Sequence, residues 1–327
     1  MSLPFVKIAG TGSYLPQRVV SNDDLALGLD TSDEWIYSHT GIRERRIAAD
    51  DESPLDMAFA ASRLALQQAG MEPEELGMIM LSTCTGDYNY LPSSACLLQH
   101  RLQAKNAAAF DLLAACSGFV YALDLAGAWI LAHQKPVLVV ASEMLSRITD
   151  WQSRETCILF GDGAAAALLL PSAEEGLVYS CLGADGEKGH LLALGGGCKE
   201  PASREPRSPS YVEMQGRALF SVAVRAIEQT IVKILEENQL SLEQIDHIIP
   251  HQANLRILEA VAKRLQIPTA RLLSNIDKTA NTSSASIPIL LDELNRTGKL
   301  KKNDLLLSVA FGGGLTYGGN LIRWLKD

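Results

Sequence analysis

The chain has 327 residues, 47% hydrophobic and 20% charged, with a formal net charge of −9. That is the composition of a folded globular protein with a large core, organised as one big domain or two ordinary ones. The negative balance removes any global electrostatic drive toward nucleic acid and leaves room only for a local basic patch.

The N-terminal stretch MSLPFVKIAGTGSYLP has no basic segment followed by an apolar run, so no secretory leader is expected there. No uninterrupted apolar run reaches the roughly 18–20 residues that span a bilayer, which predicts a soluble, cytoplasmic protein. Taken in order, Val6 to Ala9 reads as a buried strand. A helix is expected from about Leu55 to Gln68, ended near Gly70. Met78 to Ser82 reads as a strand, residues 107–115 as another, and residues 117–133 as a nearly all-apolar helix. Val137 to Ala141 is the next strand. GGGCKEPASREPRSPSYVEM, from Gly195 to Met214, is rich in turn formers and charge and reads as a mobile surface loop, either a lid or a plain connector. A long helix follows from about Ala218 to Asn238, with Phe220, Val224, Ile227, Ile231 and Leu235 on one stripe. His247 to Pro250 and Leu305 to Ala310 complete the buried strands. Alternating strands and helices argue for an α/β fold.

The order of elements repeats. Residues 62–83 and residues 231–251 each read helix, polar turn, strand, and this alignment puts Ser82 opposite His251. VKIAGTG pairs loosely with VYSCLGADG, and LVVAS with LSVAF. An internal duplication follows, with halves 1–174 and 175–327.

Six cysteines, Cys84, Cys96, Cys116, Cys157, Cys181 and Cys198, form no CxxC pair and no metal-ligand spacing with histidine. Most read as buried free thiols. Cys116 differs by position, at the turn between a strand and a buried helix, where the helix dipole favours thiolate. On spacing alone it is a nucleophile or a structural cysteine. His251 ends a hydrophobic strand, where α/β folds place ligands. Asn281 lies in a small-residue loop, and FGGGLTYGG follows a strand without dinucleotide or P-loop spacing. Exposed backbone N–H groups of such a run can face an oxyanion.

Together TSDEWIYSHTGIRERRI, AACSGFVYAL, ILFGDGAAAALL, PHQANLRI, NTSSAS and FGGGLTYGG resemble, in order and over nearly the whole chain, the thiolase superfamily. More closely they are similar to the β-ketoacyl-acyl carrier protein synthase III family, the initiating condensing enzymes of bacterial type II fatty-acid synthesis. The resemblance implies a five-layered αβαβα fold of two duplicated halves, usually homodimeric. It implies a catalytic Cys116 with His251 and Asn281, and an oxyanion hole from the backbone N–H groups of Cys116 and Gly313. Thiolases need a second catalytic cysteine near the C-terminus, and no cysteine follows Cys198.

By the same resemblance the enzyme joins an acyl-coenzyme A primer to malonyl-acyl carrier protein with loss of carbon dioxide, without a cofactor or metal. Trp35 and Arg154 would hold the adenine of coenzyme A. Gly216, Phe220, Ala253, Asn254 and Ile257 would line the tunnel below. Arg217, Arg256 and Lys263, with Arg264, would dock the acidic carrier. The family usually has arginine where His39 stands and glycine where Ala280 stands. Leu91 falls where a residue, often aromatic, closes the acyl pocket from the partner subunit. A secondary-metabolite condensing enzyme or acyltransferase of the same family type is the alternative, and a noncatalytic scaffold is the reading from another class.

Overall fold

In a computed structural model, which describes residues 2–195 and 211–326, the central strands are buried at consecutive residues, Val137–Met144 and Leu305–Gly312 along their whole length, so both faces of each sheet are covered. The main elements are β1 (Phe5–Tyr14), α1 (Asp33–Thr40), α2 (Pro54–Ala69), β2 (Met78–Ser82), α3 (Ser94–Leu102), β3 (Ala108–Leu112), α4 (Gly118–His133), β4 (Val137–Met144) and β5 (Asp162–Ser172). There follow β6 (Leu177–Ala184), α5 (Gly216–Glu237), β7 (His247–Pro250), α6 (Leu255–Leu265), α7 (Ser286–Arg296), β8 (Leu305–Gly312) and β9 (Thr316–Arg323). The first sheet has the order β1-β5-β4-β2-β3 and the second β7-β8-β9-β6.

The two sheets repeat one plan. β5 is antiparallel to β1 and β4, and β2 is parallel to β4, with Met78 opposite Val137. Likewise β9 is antiparallel to β6 and β8, and β7 is parallel to β8, with His247 opposite Leu306. The duplicated halves expected from the order of elements are therefore present as matching strand order and sense.

Strand alternation builds the layers. Val137, Val139, Ala165 and Ala167 pack inward with Phe119 and Leu123 of α4, Ile287 and Leu291 of α7, and Leu306 and Ala310 of β8. Leu138, Val140, Ala164 and Ala166 turn to the opposite face, against Met57, Ala61 and Ala65 of α2 and Leu98 of α3. Leu305, Leu307 and Val309 turn to the outer face of the second sheet, against Ile227 and Ile231 of α5 and Leu258 and Val261 of α6. This is the five-layered αβαβα arrangement. Each fully buried Leu or Phe of the middle layer contributes about 1.5–3 kcal/mol.

Two sequence expectations are corrected. Ala115–His133 is long and apolar enough to cross a membrane by length and composition, contrary to the reading that no such run exists. Its apolarity is accounted for by its place between two sheets, where polar side chains would lack partners. The segment 195–214 is not loop throughout. Leu192–Leu194 pairs antiparallel with Val212–Met214, while 196–210, including Cys198, lie outside the described residues. The remaining expected strands and helices form; Met78–Ser82 and His247–Pro250 keep their bounds, the strand expected over 107–115 shortens to Ala108–Leu112, and the others shift by a few residues.

Candidate active site

Helix α1 presents the first site residues. Ser32 caps it by accepting from the Trp35 N–H at 3.1 Å, and Gly41 ends it at φ +78°. One ring of Trp35 stacks on His39, with centroids 4.2 Å apart and planes 20° apart. The Arg154 guanidinium lies 4.6 Å from the Trp35 ring, and its NH1 donates to the Asp30 carbonyl at 2.7 Å. Asn254, the cap of α6, donates to the His39 carbonyl at 3.1 Å and so ties α1 to the second half.

Cys116 lies beyond the end of β3, in a single helical turn, Ala115–Ser117, that leads into α4. Ala115 takes φ +44° to make the corner. Ser117 Oγ donates to the Ala114 carbonyl at 2.8 Å and fixes that corner. The glycine run of β8 packs on it. A Cβ on Gly312 would meet the Cys116 nitrogen at 2.7 Å, and one on Gly118 would meet Ser82 Oγ at 1.8 Å, so both positions need glycine. Burial pushes the Cys116 thiol up to about 12; Ser283 pulls it down, and the charge of Glu143 pushes it up again. Cys116 is therefore a thiol at neutral pH, where the helix dipole had suggested a thiolate.

His251 follows β7, held by its N–H to the Val309 carbonyl at 2.8 Å. It is 1% exposed, and burial lowers its pKa to about 3, so it is neutral at any physiological pH. Its ring stands edge-on to Phe311, with centroids 5.7 Å apart. Asn281 is held on both sides. Its N–H donates to the Leu159 carbonyl at 2.9 Å, and its carbonyl accepts from Gly161 at 3.0 Å. The Ser283 N–H donates to Asn281 Oδ1 at 2.8 Å, which leaves the amide Nδ2 free to donate.

One cavity of about 870 Å³ gathers these groups. Cys116, His251 and Asn281 line it together with Trp35, Arg154, Gly216, Phe220, Ala253, Asn254 and Ile257. Phe160, Leu192, Met214 and Phe311, which were not singled out from sequence as site residues, complete its apolar wall. An adjoining hollow of about 330 Å³ is lined by His39, Gly216, Arg217, Phe220, Asn254 and Arg256.

Other expected residues fall elsewhere. Gly313 is not among the lining residues; it follows Gly312 on the Cys116 backbone, with Leu192 its nearest neighbour. Leu91 is 84% exposed and does not reach the cavity of its own chain. Lys263 is exposed on α6, and Arg264 is paired with Glu228 at 2.6 Å, so its charge is partly committed. No cluster of metal-ligating side chains occurs among the described residues.

The comparisons with known proteins agree with this geometry. A family model described as 3-oxoacyl-[acyl-carrier-protein (ACP)] synthase III matches residues 110–186, and the model of its C-terminal part matches residues 235–324. The chain is 46% identical to the β-ketoacyl-[acyl-carrier-protein] synthase III of Xanthomonas euvesicatoria pv. vesicatoria over 321 residues, covering 98% of each. It is similar in structure to 3-oxoacyl-[acyl-carrier-protein] synthase III from Aquifex aeolicus VF5, with TM-score 0.90 and 45% identity over 98% of this chain and 100% of that one. It is also similar to the priming β-ketosynthase of the R1128 polyketide biosynthetic pathway, with TM-score 0.94 and 36% identity over 99% of this chain and 98% of that one.

Proposed function

The chain belongs to the 3-oxoacyl-[acyl-carrier-protein] synthase III family, and from that premise we propose how its cavity carries out the family's reaction. The enzyme is a condensing acyltransferase that initiates fatty-acid synthesis. The observation that carries the residue assignment is the single cavity lined by Cys116, His251 and Asn281, with Trp35 and Arg154 also on its wall.

In the first half-reaction Cys116 Sγ attacks the carbonyl of an acyl-coenzyme A thioester. A carbon–sulfur bond forms to the enzyme, the bond to coenzyme A breaks, and the thiol proton ends on the departing coenzyme A sulfur. The family's pattern assigns the oxyanion to the backbone N–H groups of Cys116 and Gly313; here Gly313 does not line the cavity but stands one residue beyond Gly312, which packs on the Cys116 nitrogen. Malonyl-acyl carrier protein then enters. His251 and Asn281 donate to its thioester oxygen, and these bonds strengthen as carbon dioxide leaves and negative charge gathers there. The resulting carbanion attacks the acyl-cysteine, a carbon–carbon bond forms as the carbon–sulfur bond breaks, and the departing Cys116 thiolate takes up a proton from solvent. Neutral His251 suits a donor better than an imidazolium, which would have been costly at 1% exposure. The reaction draws on a thiol, an imidazole and an amide, and no cofactor or metal is invoked.

Further parts of the proposal concern assembly. Arg217 and Arg256 beside the cavity, with Lys263 farther along α6, supply the basic surface for an acidic carrier protein. Tyr88, Tyr90, Leu91, Phe110 and Leu113 are exposed apolar residues in and around the edge strand β3. Such a patch supports a homodimer in which Leu91 closes the partner's acyl pocket. The halves meet at Glu174 and Glu175, between β5 and β6. The compartment proposed is the cytoplasm. The secondary-metabolite alternative is not favoured by relatives at 46% identity that are named β-ketoacyl-[acyl-carrier-protein] synthase III.

Intact-mass measurement after incubation with acetyl- to octanoyl-coenzyme A tests the reading. A mass gain with short donors, absent in Cys116→Ala, is expected. A gain retained in that variant overturns the assignment.

A further inference from the structure

The motif resemblance left one buried acid without a role. β4 is buried along its whole length, yet it contains Glu143 at 0% exposure. A carboxylate in such a place must be met by donors. Glu143 Oε1 accepts from Ser284 Oγ at 2.7 Å and from Ser283 Oγ at 2.9 Å. Oε2 accepts from Thr85 Oγ1 at 2.9 Å, the Cys84 N–H at 3.1 Å, Cys84 Sγ at 3.3 Å and Thr83 Oγ1 at 3.4 Å.

These donors come from two separate pieces of chain. Ser283 and Ser284 belong to the second half and follow Asn281 with only Thr282 between. Thr83, Cys84 and Thr85 follow β2 in the first half. Ser283 joins the carboxylate to the chemistry. Its backbone N–H holds Asn281 Oδ1 at 2.8 Å, its hydroxyl donates to Glu143, and Ser283 takes φ +49°, an unfavourable conformation that needs holding. The carboxylate is thus the clamp for the turn that aims Asn281.

We propose that Glu143 is a positioning residue for decarboxylation: through Ser283 and Ser284 it fixes the orientation of the Asn281 amide. This rests on the reading of Cys116, His251 and Asn281 as the catalytic groups. Two consequences follow, of opposite sign. Loss of the carboxylate loosens Asn281 and slows decarboxylation. Loss of its charge removes one influence that keeps Cys116 protonated, alongside the larger effect of burial. A side chain that only stabilises the fold would slow both half-reactions together.

The test uses full-length wild type, Glu143→Gln, Ser283→Ala and Asn281→Ala. Acyl loading is read by intact mass, decarboxylation by carbon dioxide release from malonyl-acyl carrier protein, and Cys116 ionisation by the pH profile of iodoacetamide alkylation. Displacement of a catalytic group by about 1 Å costs on the order of 100-fold. Glu143→Gln is expected to lose decarboxylation on that scale, to keep acyl loading within about threefold, and to alkylate Cys116 at lower pH than wild type. Ser283→Ala, which keeps the charge, is expected to slow decarboxylation without that lowering of the alkylation profile. If Glu143→Gln does not fold, Ser283→Ala carries the positioning test alone. Equal losses in both half-reactions, or unchanged decarboxylation, overturn the inference. Full decarboxylation by Asn281→Ala would instead overturn the catalytic reading beneath it.

Discussion

His251 Nδ1 lies 2.7 Å from Ser286 Oγ, the first residue of α7. The same oxygen accepts from the Gln252 N–H at 3.3 Å. The proposed chemistry needs Nε2–H as the donor toward the cavity, and a Ser286 hydroxyl donating to Nδ1 supplies that tautomer. Ser286→Ala removes this bias. A hydrogen bond of about 1 kcal/mol converts to roughly a 5- to 10-fold loss in decarboxylation. Acyl loading should stay near wild type, because His251 is not needed as a base there. Parallel measurement of carbon dioxide release and acyl-enzyme mass checks this, and an equal loss in both would count against the tautomer argument.

Burial of neutral His251 also makes stability depend on pH. Its folded pKa is near 3 against an ordinary value of 6.5. Between these values the unfolded chain binds a proton that the folded protein does not. Stability contributed by this group is therefore complete above pH 6.5 and falls as pH drops toward 3, by up to about 1.4 kcal/mol per pH unit. Urea unfolding at pH 7 and pH 5 should show the decline. His251→Asn, which cannot titrate, should show a smaller one.

Cys116 behaves in the opposite direction. Its folded pKa, near 12, lies above the ordinary 9.0. The folded protein keeps its proton where the unfolded chain loses it, so this contribution to stability is present below pH 9 and fades above it. Iodoacetamide at pH 8 should label exposed Cys96 well before half-buried Cys116 in the free enzyme. Peptide mapping over time reads the order. Labelling of Cys116 first would mean that the helix dipole outweighs burial.

The residues proposed as catalytic were legible because each stands at a junction visible in the sequence. Cys116 sits between a strand and an apolar helix, His251 after a hydrophobic strand, and Asn281 in a small-residue loop; all reach one cavity. What holds them was much less visible. Ser286 and Ser283 belong to a motif whose individual serines carry no label in the sequence, and their partners are reached only through tertiary packing. Glu143 did leave a trace, as a lone acid in the buried run VLVVASEM. The span 195–214 misled because composition marks turns well but does not register the short strand Val212–Met214, which gains its partner from Leu192–Leu194. The apolar helix α4 was read as a buried helix and is one, although its length and composition alone do not separate burial between two sheets from burial in lipid, since both demand the same side chains.

Trp35 carries His39 on its ring at 4.2 Å and Arg154 at 4.6 Å. If adenine stacks here, Trp35→Ala loses about 1–3 kcal/mol of stacking, a rise in KM of roughly 10- to 100-fold for acyl-coenzyme A. Acyl thioesters of N-acetylcysteamine, which lack adenine, should be indifferent to the change. His39→Arg places a permanent cation at this wall and should lower KM for coenzyme A thioesters, with the gain disappearing at high salt. Steady-state kinetics with both donor types at low and high ionic strength decides between an adenine site and a simple packing residue.

Ala280, immediately before Asn281, is wholly buried at φ +55° and ψ −159°. Only glycine adopts that region freely, and another residue there carries about 1–3 kcal/mol of strain. Ala280→Gly removes the strain but gives the unfolded chain more freedom, a loss of about 0.5–1 kcal/mol. The balance favours the variant by about 1 kcal/mol, visible as a higher urea midpoint with an unchanged slope. Because the Asn281 backbone is pinned by Leu159 and Gly161, and its Oδ1 by Ser283, the side chain should keep its aim. Decarboxylation should then remain within about twofold of wild type. A stability loss of about 1 kcal/mol, as expected for glycine at an unstrained position, would show that Ala280 is not held in that conformation in solution.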